Sequence, residues 1–437
     1  MSSVLGVPLP DSWSVAPLKH VSSVLNRGSA PNYVDEGPVR AISQAANQTG
    51  GLDWSRTRFH DFSGDPKKLK GYLLPNDVLI NSTGTGTLGR IGYFSKSPDG
   101  LPCMADSHVT ISRAKSDELD ARFSYYWLGS RPFQEYVYAA LVVGATNQIE
   151  LNRDRLGDAP IPLPPLEEQR RIADFLDAET AHMSKLTAAL QRFEQEVRER
   201  ERAVLARLLN AGAQHPQSDL PSGWRWTPLM HLTNQLRQIM YGIVLPGPNV
   251  ADGVPIVKGG DVAANRLSLE TLNRTTHQIE SGYERSRLAG GDLVIAIRGS
   301  VGEVAVVPTE LTGANLTQDA ARISVGPSTD AKWLRLALES PLVIHQIQQR
   351  VTGATIKGIN IWDLKRVLVP TPSSPCQRDL AEEAGRTMAT HETLRSRVAQ
   401  HRKLVAERRQ ALITAAVTGQ FDVSTASGRN VTDGVSA

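Results

Sequence analysis

Residues 9–20 read LPDSWSVAPLKH, and residues 220–231 read LPSGWRWTPLMH. Leu, Pro, Trp, Pro, Leu and His recur in the same order in both segments, about 210 residues apart. Self-similarity at a fixed spacing is the mark of an internal repeat, which has to be recognised before a fold can be predicted. The sequence therefore predicts two copies of one domain.

The repeat continues through the rest of each copy. Four further pairs of segments match in the same order: 77–80 (DVLI) with 292–295 (DLVI), 86–89 (GTLG) with 299–302 (GSVG), 144–146 with 353–355 (both GAT), and 152–162 (NRDRLGDAPIP) with 360–370 (NIWDLKRVLVP). Beyond these, Gln169-Arg170 matches Gln377-Arg378, and Arg202 and Gly212 match Arg409 and Gly419. Because order and spacing are both kept, similar composition does not explain the match.

A long charged segment follows the proline-bounded strand that ends each copy. The first predicts a helix over 166–210, with Ala211-Gly212 as its stop, and the second a helix over 376–418, with Gly419 as its stop. Apolar residues in both follow alternating steps of three and four: Met183, Leu186, Leu190, Phe193, Val197 and Val204, and then Leu394, Val398, Val405 and Leu412. This spacing is typical of a coiled-coil seam. Two amphipathic helices lying on separate cores are the alternative.

The predicted fold class is α+β. Two tandem mixed α/β domains are joined by two long helices, which pair as an antiparallel coiled coil with pseudo-twofold symmetry. The predicted boundaries are 1–163 for the first domain, 164–213 for a central helical spacer, 214–372 for the second domain, 373–423 for a C-terminal helical spacer and 424–437 for a flexible tail. A helix of 45 residues spans roughly 65–70 Å, so each helix acts as a spacer in this interpretation.

Composition excludes several classes of protein. The chain has 437 residues and a net charge of +3, which is too balanced for a dedicated basic domain. Cys103 and Cys376 are its two cysteines, too few for a disulfide framework or a four-cysteine zinc site. The sequence has no apolar run of 18 residues and no secretory signal pattern at its N-terminus. We therefore expect a cytoplasmic protein.

The candidate catalytic and cofactor motifs in the sequence lack the neighbouring elements that their function requires. Residues 84–89 fit G-x-G-x-x-G, but a strand pattern follows them at 90–94, whereas a dinucleotide site needs a helix there. The sequence contains no P-loop, and Ser300 lies in GSVG rather than in a nucleophile elbow. The sequence therefore predicts a strand–turn–strand loop and no catalytic, cofactor or metal site in this chain.

The polar glycine loops are the first candidate DNA contacts. Thr83, Thr85 and Thr87 present hydroxyl groups on a turn, and Arg298 and Ser300 occupy the counterpart turn. Hydroxyl and backbone amide groups contact phosphates, and arginine reads guanine. An ordinary tight turn with solvated polar residues is the alternative.

A second repeat-equivalent pair, at residues 145–148 and 354–357, and two basic clusters complete the set of candidate DNA contacts. Asn and Gln can pair with adenine, and Lys can meet guanine or phosphate, although charge runs are more often solvated surface. The predicted DNA-binding residues are Lys67, Lys68, Lys70, Thr83, Thr85, Thr87, Arg90, Asn147, Gln148, Arg285, Arg287, Arg298, Ser300 and Lys357.

Two helical segments resemble a known family. PLPPLEEQRRIA at 162–173 and ERRQALITAAVTGQ at 407–420 are similar to the helical regions of the specificity subunits of type I restriction–modification systems. The family's tandem target-recognition domains also resemble the duplication found here. One departure is TPSSPCQ at 371–377, which lacks the Leu-Glu-Glu of the first copy. The docking of partner subunits at this second site is therefore expected to differ in detail.

The resemblance implies a non-catalytic subunit of a methyltransferase and endonuclease complex. Each domain would bind one half of a bipartite double-stranded DNA target, and the helices would set the gap between the halves. Two methyltransferase subunits and the restriction subunits would dock on the chain, and S-adenosylmethionine, ATP and Mg would belong to those partners. A coiled-coil scaffold that does not read DNA is the main alternative, and an enzyme acting on nucleic acid by itself is the second.

Overall fold

The computed structural model describes residues 3–48, 51–84, 86–143, 149–210, 212–213, 215–216, 218–263, 266–353 and 357–423. Contacts divide the chain into two compact units. The first unit comprises Met1–Leu190 and Gln400–Ala437, and the second comprises Gln191–Ala399. Each unit therefore contains one globular part together with segments of both long helices.

The first unit contains sixteen of the strands found in the described residues. In chain order they are β1 (Ser3–Val4), β2 (Val7–Pro8), β3 (Ser14–Pro17), β4 (Ser22–Arg27), β5 (Tyr33–Val34), β6 (Val39–Ile42), β7 (Asn47–Gln48), β8 (Gly51–Leu52), β9 (Arg58–His60), β10 (Asp77–Asn81), β11 (Ile91–Phe94), β12 (Cys103–Ala105), β13 (Val109–Ala114), β14 (Val142–Val143), β15 (Glu150–Leu151) and β16 (Pro160–Leu163). Its short helices are α1 (Ala121–Leu128), α2 (Arg131–Tyr136) and α3 (Arg153–Asp158).

The strands of the second unit are β17 (Arg225–Pro228), β18 (Met240–Tyr241), β19 (Val254–Val257), β20 (Asn273–Thr275), β21 (Leu293–Ala296), β22 (Val304–Val306), β23 (Asn315–Leu316), β24 (Ala320–Ile323) and β25 (Leu368–Thr371). The long helix α4 (Leu166–Asn210) precedes them. The later helices are α5 (His277–Glu280), α6 (Ala331–Glu339), α7 (Pro341–Gln349), α8 (Ile361–Lys365) and the long α9 (Ser374–Val417).

The two units repeat one sheet topology. A four-stranded antiparallel sheet has the order β11-β10-β13-β4 in the first unit and β22-β21-β24-β18 in the second. A second sheet, of four strands in the first unit and three in the second, contains one parallel pair in each unit, β12 with β6 and β23 with β19. Matching strand order together with the matching parallel pair confirms the predicted duplication in three dimensions.

The short helices repeat as well, because their N-caps are repeated in the sequence. Asp120 caps α1 and Asp330 caps α6, each accepting backbone N–H bonds through its carboxylate. Asn152 and Asn360 cap α3 and α8 in the same way. Such caps satisfy the free N–H groups at a helix start, so they fix the helix boundaries locally.

The long helices begin and end close to the predicted positions. Helix α4 has the bounds that the sequence predicts, and α9 begins two residues earlier than predicted and ends one residue earlier. Gly212 and Gly419 both adopt the left-handed backbone, with φ of 79° and 68°. This conformation ends helices and favours glycine, which confirms the predicted stops.

Contacts inside each unit pair α4 with α9. In the second unit, Arg395 donates to Glu201, and Arg207 lies 4.0 Å from Glu383. The partners on α9 step backward as α4 advances, so the helices are antiparallel there. In the first unit, Ile172, Leu176 and Met183 of α4 share one apolar core with Leu412, Ile413, Ala416 and Val417 of α9.

The side chains of the predicted seam differ in burial. Met183 and Val197 on α4 are buried, as are Val398 and Leu412 on α9. Leu186 and Phe193 remain 43% and 42% exposed, so these two side chains are buried only in part. Alternating spacing selects a helix face, but it does not show how much of that face its partner covers.

Each globular part has its own apolar core. In the first, Trp13, Phe123, Trp127 and Phe133 are buried together. In the second, Trp333 is the large buried aromatic residue, whereas Trp224, the repeat counterpart of Trp13, is only half-buried. Within the described ranges, no helix is both long enough and apolar enough to cross a membrane.

Candidate DNA interface

The glycine turn of the first unit links β10 to β11, which pair as antiparallel strands. This confirms the predicted strand–turn–strand loop. Gly84, Gly86 and Gly89 all adopt positive φ. A Cβ added at Gly84 would lie 2.5 Å from Gln44 Oε1. The turn therefore needs glycine there for its backbone conformation, and a Cβ would also displace the Gln44 side chain.

The hydroxyl groups of this turn bond within the protein. Gln44 Oε1 accepts bonds from Thr83 Oγ1 at 3.2 Å and Thr87 Oγ1 at 3.4 Å. Thr83 Oγ1 also lies 2.7 Å from His108 Nδ1. These contacts agree with the alternative of a tight polar turn, although they leave DNA contact at Thr83 and Thr87 untested. The predicted contact Thr85 lies outside the described residues.

Arg90 stabilises the same glycine turn through hydrogen bonds of its guanidinium group. Its guanidinium donates to Gln48 Oε1 at 2.9 Å, to the Asn47 carbonyl at 3.2 Å and to the Gly86 carbonyl at 3.3 Å. All three acceptors are neutral, so the positive charge of Arg90 is not cancelled by these bonds. Arg90 can therefore hold the turn and still attract an anion.

The counterpart turn in the second unit brings three predicted residues together. Arg298 and Ser300 are exposed on the turn between β21 and β22. Arg298 forms a backbone bridge with Gly358, and Gly299 N donates to the Lys357 carbonyl at 3.3 Å. Arg298 Nη1 lies 3.8 Å from Asp319, a long ion pair that leaves the side chain 46% exposed. Arg298, Ser300 and Lys357 thus form one exposed polar cluster.

The first unit has the same arrangement of chain segments. Thr83 forms a backbone bridge with Glu150, and Leu151 N donates to the Ser82 carbonyl at 2.8 Å. The segment before Glu150 contains the predicted contacts Asn147 and Gln148, which lie outside the described residues. Their DNA contact stays a prediction.

The lysine cluster of the first unit lies on a separate short turn. Asp65 caps this turn by accepting a bond from Lys67 N at 3.0 Å, and Ser29 donates to the Lys70 carbonyl at 2.8 Å. The side chains of Lys67, Lys68 and Lys70 are exposed. Three cations on one exposed turn form a surface to which phosphates would be attracted.

Arg285 and Arg287 differ sharply in their surroundings. Arg287 donates to both oxygens of the buried Glu280, at 2.7 and 2.6 Å, and lies 3.2 Å from Glu284. The Arg287 guanidinium holds the pKa of Glu280 below its usual range. Arg287 therefore has a structural partner, which the sequence did not predict. Arg285 is exposed, and two adjoining grooves of about 580 and 450 Å³ share it with Met240 and Glu284.

A buried arginine beneath these grooves escaped prediction. Arg322 on β24 is 2% exposed and donates to the carbonyls of Arg285, Arg287 and Gln238. Burial and, secondly, the charge of Arg237 lower its pKa. Arg322 fixes the carbonyls that shape the groove around Arg285. Its place in an apolar strand was the only sequence signal.

Comparisons with known proteins match this architecture. Residues 11–192 match the family model of the type I restriction modification DNA specificity domain. The specificity subunit of the type I restriction enzyme EcoBI of Escherichia coli is 24% identical over 416 residues, covering 87% of this chain and 85% of that protein. The EcoKI specificity subunit of Escherichia coli K12 is 21% identical over 94% of this chain and 90% of that protein.

Solved structures show the same fold. A chain solved to explain complex assembly and conformational transition of the type I R-M system has a TM-score of 0.73, with 20% identity over 94% of this chain and 99% of that one. The HsdS subunit from Thermoanaerobacter tengcongensis has a TM-score of 0.53, with 20% identity over 94% of this chain and 98% of that chain. The predicted resemblance to type I specificity subunits is confirmed, and residues 11–192 are the part that matches the model of the DNA specificity domain.

Proposed function

We propose that this chain reads a bipartite DNA target for a type I restriction–modification complex. Each globular part binds one half of the target, and the paired helices set the gap between the halves. The chain itself supplies recognition and no catalysis. Its methyltransferase and restriction partners supply the chemistry, together with S-adenosylmethionine, ATP and Mg.

The repeated topology is the observation that carries this proposal. Both units present a polar glycine turn at the same place, between the two strands at one end of the four-stranded antiparallel sheet. The turns differ in side chains, since Thr83 and Thr87 stand in the first, and Arg298 and Ser300 in the second. One scaffold with two different polar surfaces suits a target whose halves have different sequences. Two linked sites also raise affinity when both can bind at once.

The test is a map of methylated bases in DNA. The chain is expressed with the methyltransferase subunit of its own system in a host that lacks both, and the DNA is read by single-molecule sequencing. We expect one new methylated motif, made of two short halves separated by a fixed gap. Expression of the methyltransferase alone is the control, and it should add no such motif.

Two other outcomes would support the alternative functions, a scaffold or an enzyme. A complex that assembles but methylates no motif, and binds DNA without sequence preference, would identify a scaffold and contradict the proposal. Methylation or cleavage by the purified chain without partners would identify an enzyme instead.

A further inference from the structure

Each unit has a second loop beside its glycine turn. The parallel-paired strand, β12 in the first unit and β23 in the second, leads through a three-residue loop into β13 or β24. The loop ends at His108 in the first unit and at Asp319 in the second. The His108 carbonyl accepts a bond from Ser82 N at 2.8 Å, and the Asp319 carbonyl accepts one from Ile297 N at 2.9 Å. Each loop therefore lies directly against the chain that enters the glycine turn.

The register of the sheets shows that His108 and Asp319 occupy equivalent positions. The residue that follows each of them pairs with the neighbouring strand two positions before a turn residue, Thr83 in the first unit and Arg298 in the second. The loops read DSH and TQD, so they share no residue at matching positions. This equivalence is therefore a finding of the structure that the sequence repeat does not reveal.

The backbone beneath the loops is held in the same way in both units. A Cβ added at Gly28 would lie 1.9 Å from the Ala105 carbonyl oxygen, and one added at Gly242 would lie 2.0 Å from the Leu316 carbonyl oxygen. Ala105 and Leu316 are the residues just before the two loops. Because only glycine permits such a close approach, the position of each loop is fixed by the backbone. The side chains of the loops can then differ without moving them.

Each loop residue contacts the turn residue of its own unit, but the chemistry of the two contacts differs. His108 Nδ1 lies 2.7 Å from Thr83 Oγ1, which joins an imidazole to a hydroxyl. Asp319 lies 3.8 Å from Arg298 Nη1, and the two side chains are 42% and 46% exposed. A distance of 3.8 Å is too long for a hydrogen bond. Within the part of the chain that the structure describes, the side chains of Arg298 and Asp319 form no hydrogen bond, so their donors and acceptors are open to a ligand.

The charged pair matches the polarity of one kind of base pair. In the major groove, a G·C pair presents the O6 and N7 acceptors of guanine beside the N4 amino donor of cytosine. A guanidinium group donates to guanine, and a carboxylate accepts from cytosine. An arginine that only binds a phosphate gains nothing from a neighbouring carboxylate, which repels the phosphate. Asp319 beside Arg298 therefore favours base reading over backbone binding.

We propose that Arg298 and Asp319 together read one G·C base pair in the half-site that the second unit binds. Asp319 is thus a specificity-determining residue. His108 and Thr83 read a base pair at the equivalent place of the other half-site, and they select a different one because they lack the paired opposite charges. This inference rests on the proposed function. It adds which residues read the base pair and which base pair the second unit requires.

Two alanine variants test the inference in the complex with the methyltransferase subunit. The DNA probes are duplexes of the wild-type motif in which each base pair of both halves is replaced in turn, and fluorescence anisotropy measures their binding. We expect replacement of one G·C pair to weaken wild-type binding by about tenfold. Both Arg298→Ala and Asp319→Ala should reduce this discrimination at the same base pair, by about fivefold or more, and leave the other half-site unchanged.

The matched control is Glu310→Ala. Glu310 is an exposed carboxylate of the same unit, and it follows β22 at the end of the sheet away from the glycine turn. Its removal changes the net charge as much as Asp319→Ala does. We expect the Glu310→Ala complex to keep the wild-type discrimination at every base pair.

A transplant of the pair tests the equivalence of the two positions. Thr83→Arg combined with His108→Asp places the charged pair in the first unit, and Thr83→Arg alone is its control. Methylome sequencing should show that the double variant requires a G·C pair at one new position of the first half-site, whereas the single variant shows weaker selection there. If the double variant lowers the unfolding midpoint, Asp319→Ala decides the outcome, because Asp319 is exposed on a loop.

Three results would overturn the inference. In the first, Arg298→Ala and Asp319→Ala relax different base pairs; in the second, the relaxed pair is A·T; in the third, Asp319→Ala changes the affinity for every duplex by the same factor. A bipartite motif methylated by the wild-type complex would still support the proposed function in each of these cases. A wild-type complex that binds all duplexes alike would overturn both the inference and the proposed function.

Discussion

Two buried glutamines join the globular parts to the long helices. Gln169 Oε1 accepts a bond from Asp120 N at 2.8 Å, and its Nε2 donates to the carbonyls of Glu118 and Pro164. Gln377 repeats this, accepting from Asp330 N at 2.9 Å and donating to Pro372 at 3.1 Å. The sequence match of Gln169 with Gln377 thus marks a structural joint rather than a DNA contact.

Removing either glutamine should loosen the joint. Gln169→Ala leaves the Asp120 amide and two carbonyls without their partner, and we expect a loss of about 1–3 kcal/mol in the free energy of unfolding. Amide hydrogen exchange at Asp120 and urea unfolding measure it. Arg170→Ala is the control, since Arg170 is exposed and its ion pair with Glu167 is on the surface. An equal loss of unfolding free energy in Gln169→Ala and Arg170→Ala would contradict the role of Gln169 in joining the globular part to the long helix.

The Arg287–Glu280 pair should make stability depend on pH. Because Arg287 lowers the pKa of Glu280 in the folded chain, the ionised carboxylate stabilises the fold above the ordinary value of about 4.3. That contribution is lost as the pH falls through the lowered value. Arg287→Ala should therefore destabilise the chain near pH 7, and the difference from wild type should shrink below about pH 4.

Urea unfolding at several pH values measures this difference. Arg285→Ala is the matched control, because Arg285 is exposed and two residues away. It should leave stability unchanged while weakening DNA binding of the complex. A difference for Arg287→Ala that stays constant between pH 7 and pH 3 would show that the ion pair is not its cause.

At the scale of elements, the long helices were the easiest part to predict and their contacts the hardest. Glycine stops, charge pattern and periodicity are local, so they predict the bounds of α4 closely. The exposure of Leu186, Phe193 and Leu404, at 43%, 42% and 52%, depends instead on which side chains of the partner helix reach them. The glycine turn of the first unit shows the same difference between local and distant contacts. The strands that flank it are neighbours in the sequence, but Gln44, which accepts a bond from Thr83, is 39 residues away.

Lengthening the helices should change the gap in the DNA target. Four residues inserted between Ala188 and Ala189, with four matching residues in α9, add about 6 Å of helix, close to two base pairs at 3.4 Å each. We expect the methylated motif to keep both halves and to acquire a longer gap. Four residues inserted after Val423, beyond α9, are the control. An unchanged gap in the lengthened protein would rule out the proposed spacing role.

At the scale of the molecule, each globular part is an insertion with closely spaced ends. Ser14 pairs with Leu163 across β3 and β16, and Arg225 pairs with Thr371 across β17 and β25. The chain therefore enters and leaves each globular part through one two-stranded sheet. These equivalent sheets provide natural points for exchanging one part for the other.

Exchanging one globular part for the other should change the DNA target of the resulting chimera. Replacing residues 225–371 with a copy of 14–163 should yield a complex that methylates the first half-site twice. The reciprocal replacement should yield the second half-site twice, and it serves as the matched control. Methylome sequencing with the methyltransferase present measures both targets. A folded chimera that still methylates the original motif would show that recognition lies outside the exchanged segments.

The sequence by itself determined the duplication, the α+β class, the long helices with their glycine stops and the strand–turn–strand loops. These features depend on repeats, periodicity and caps, which act over a few residues. Only the tertiary structure decided that Arg287 pairs with Glu280 and that Arg322 lies buried under Arg285. Such contacts join side chains that folding brings together from distant parts of the chain, and their partners cannot be predicted from local pattern.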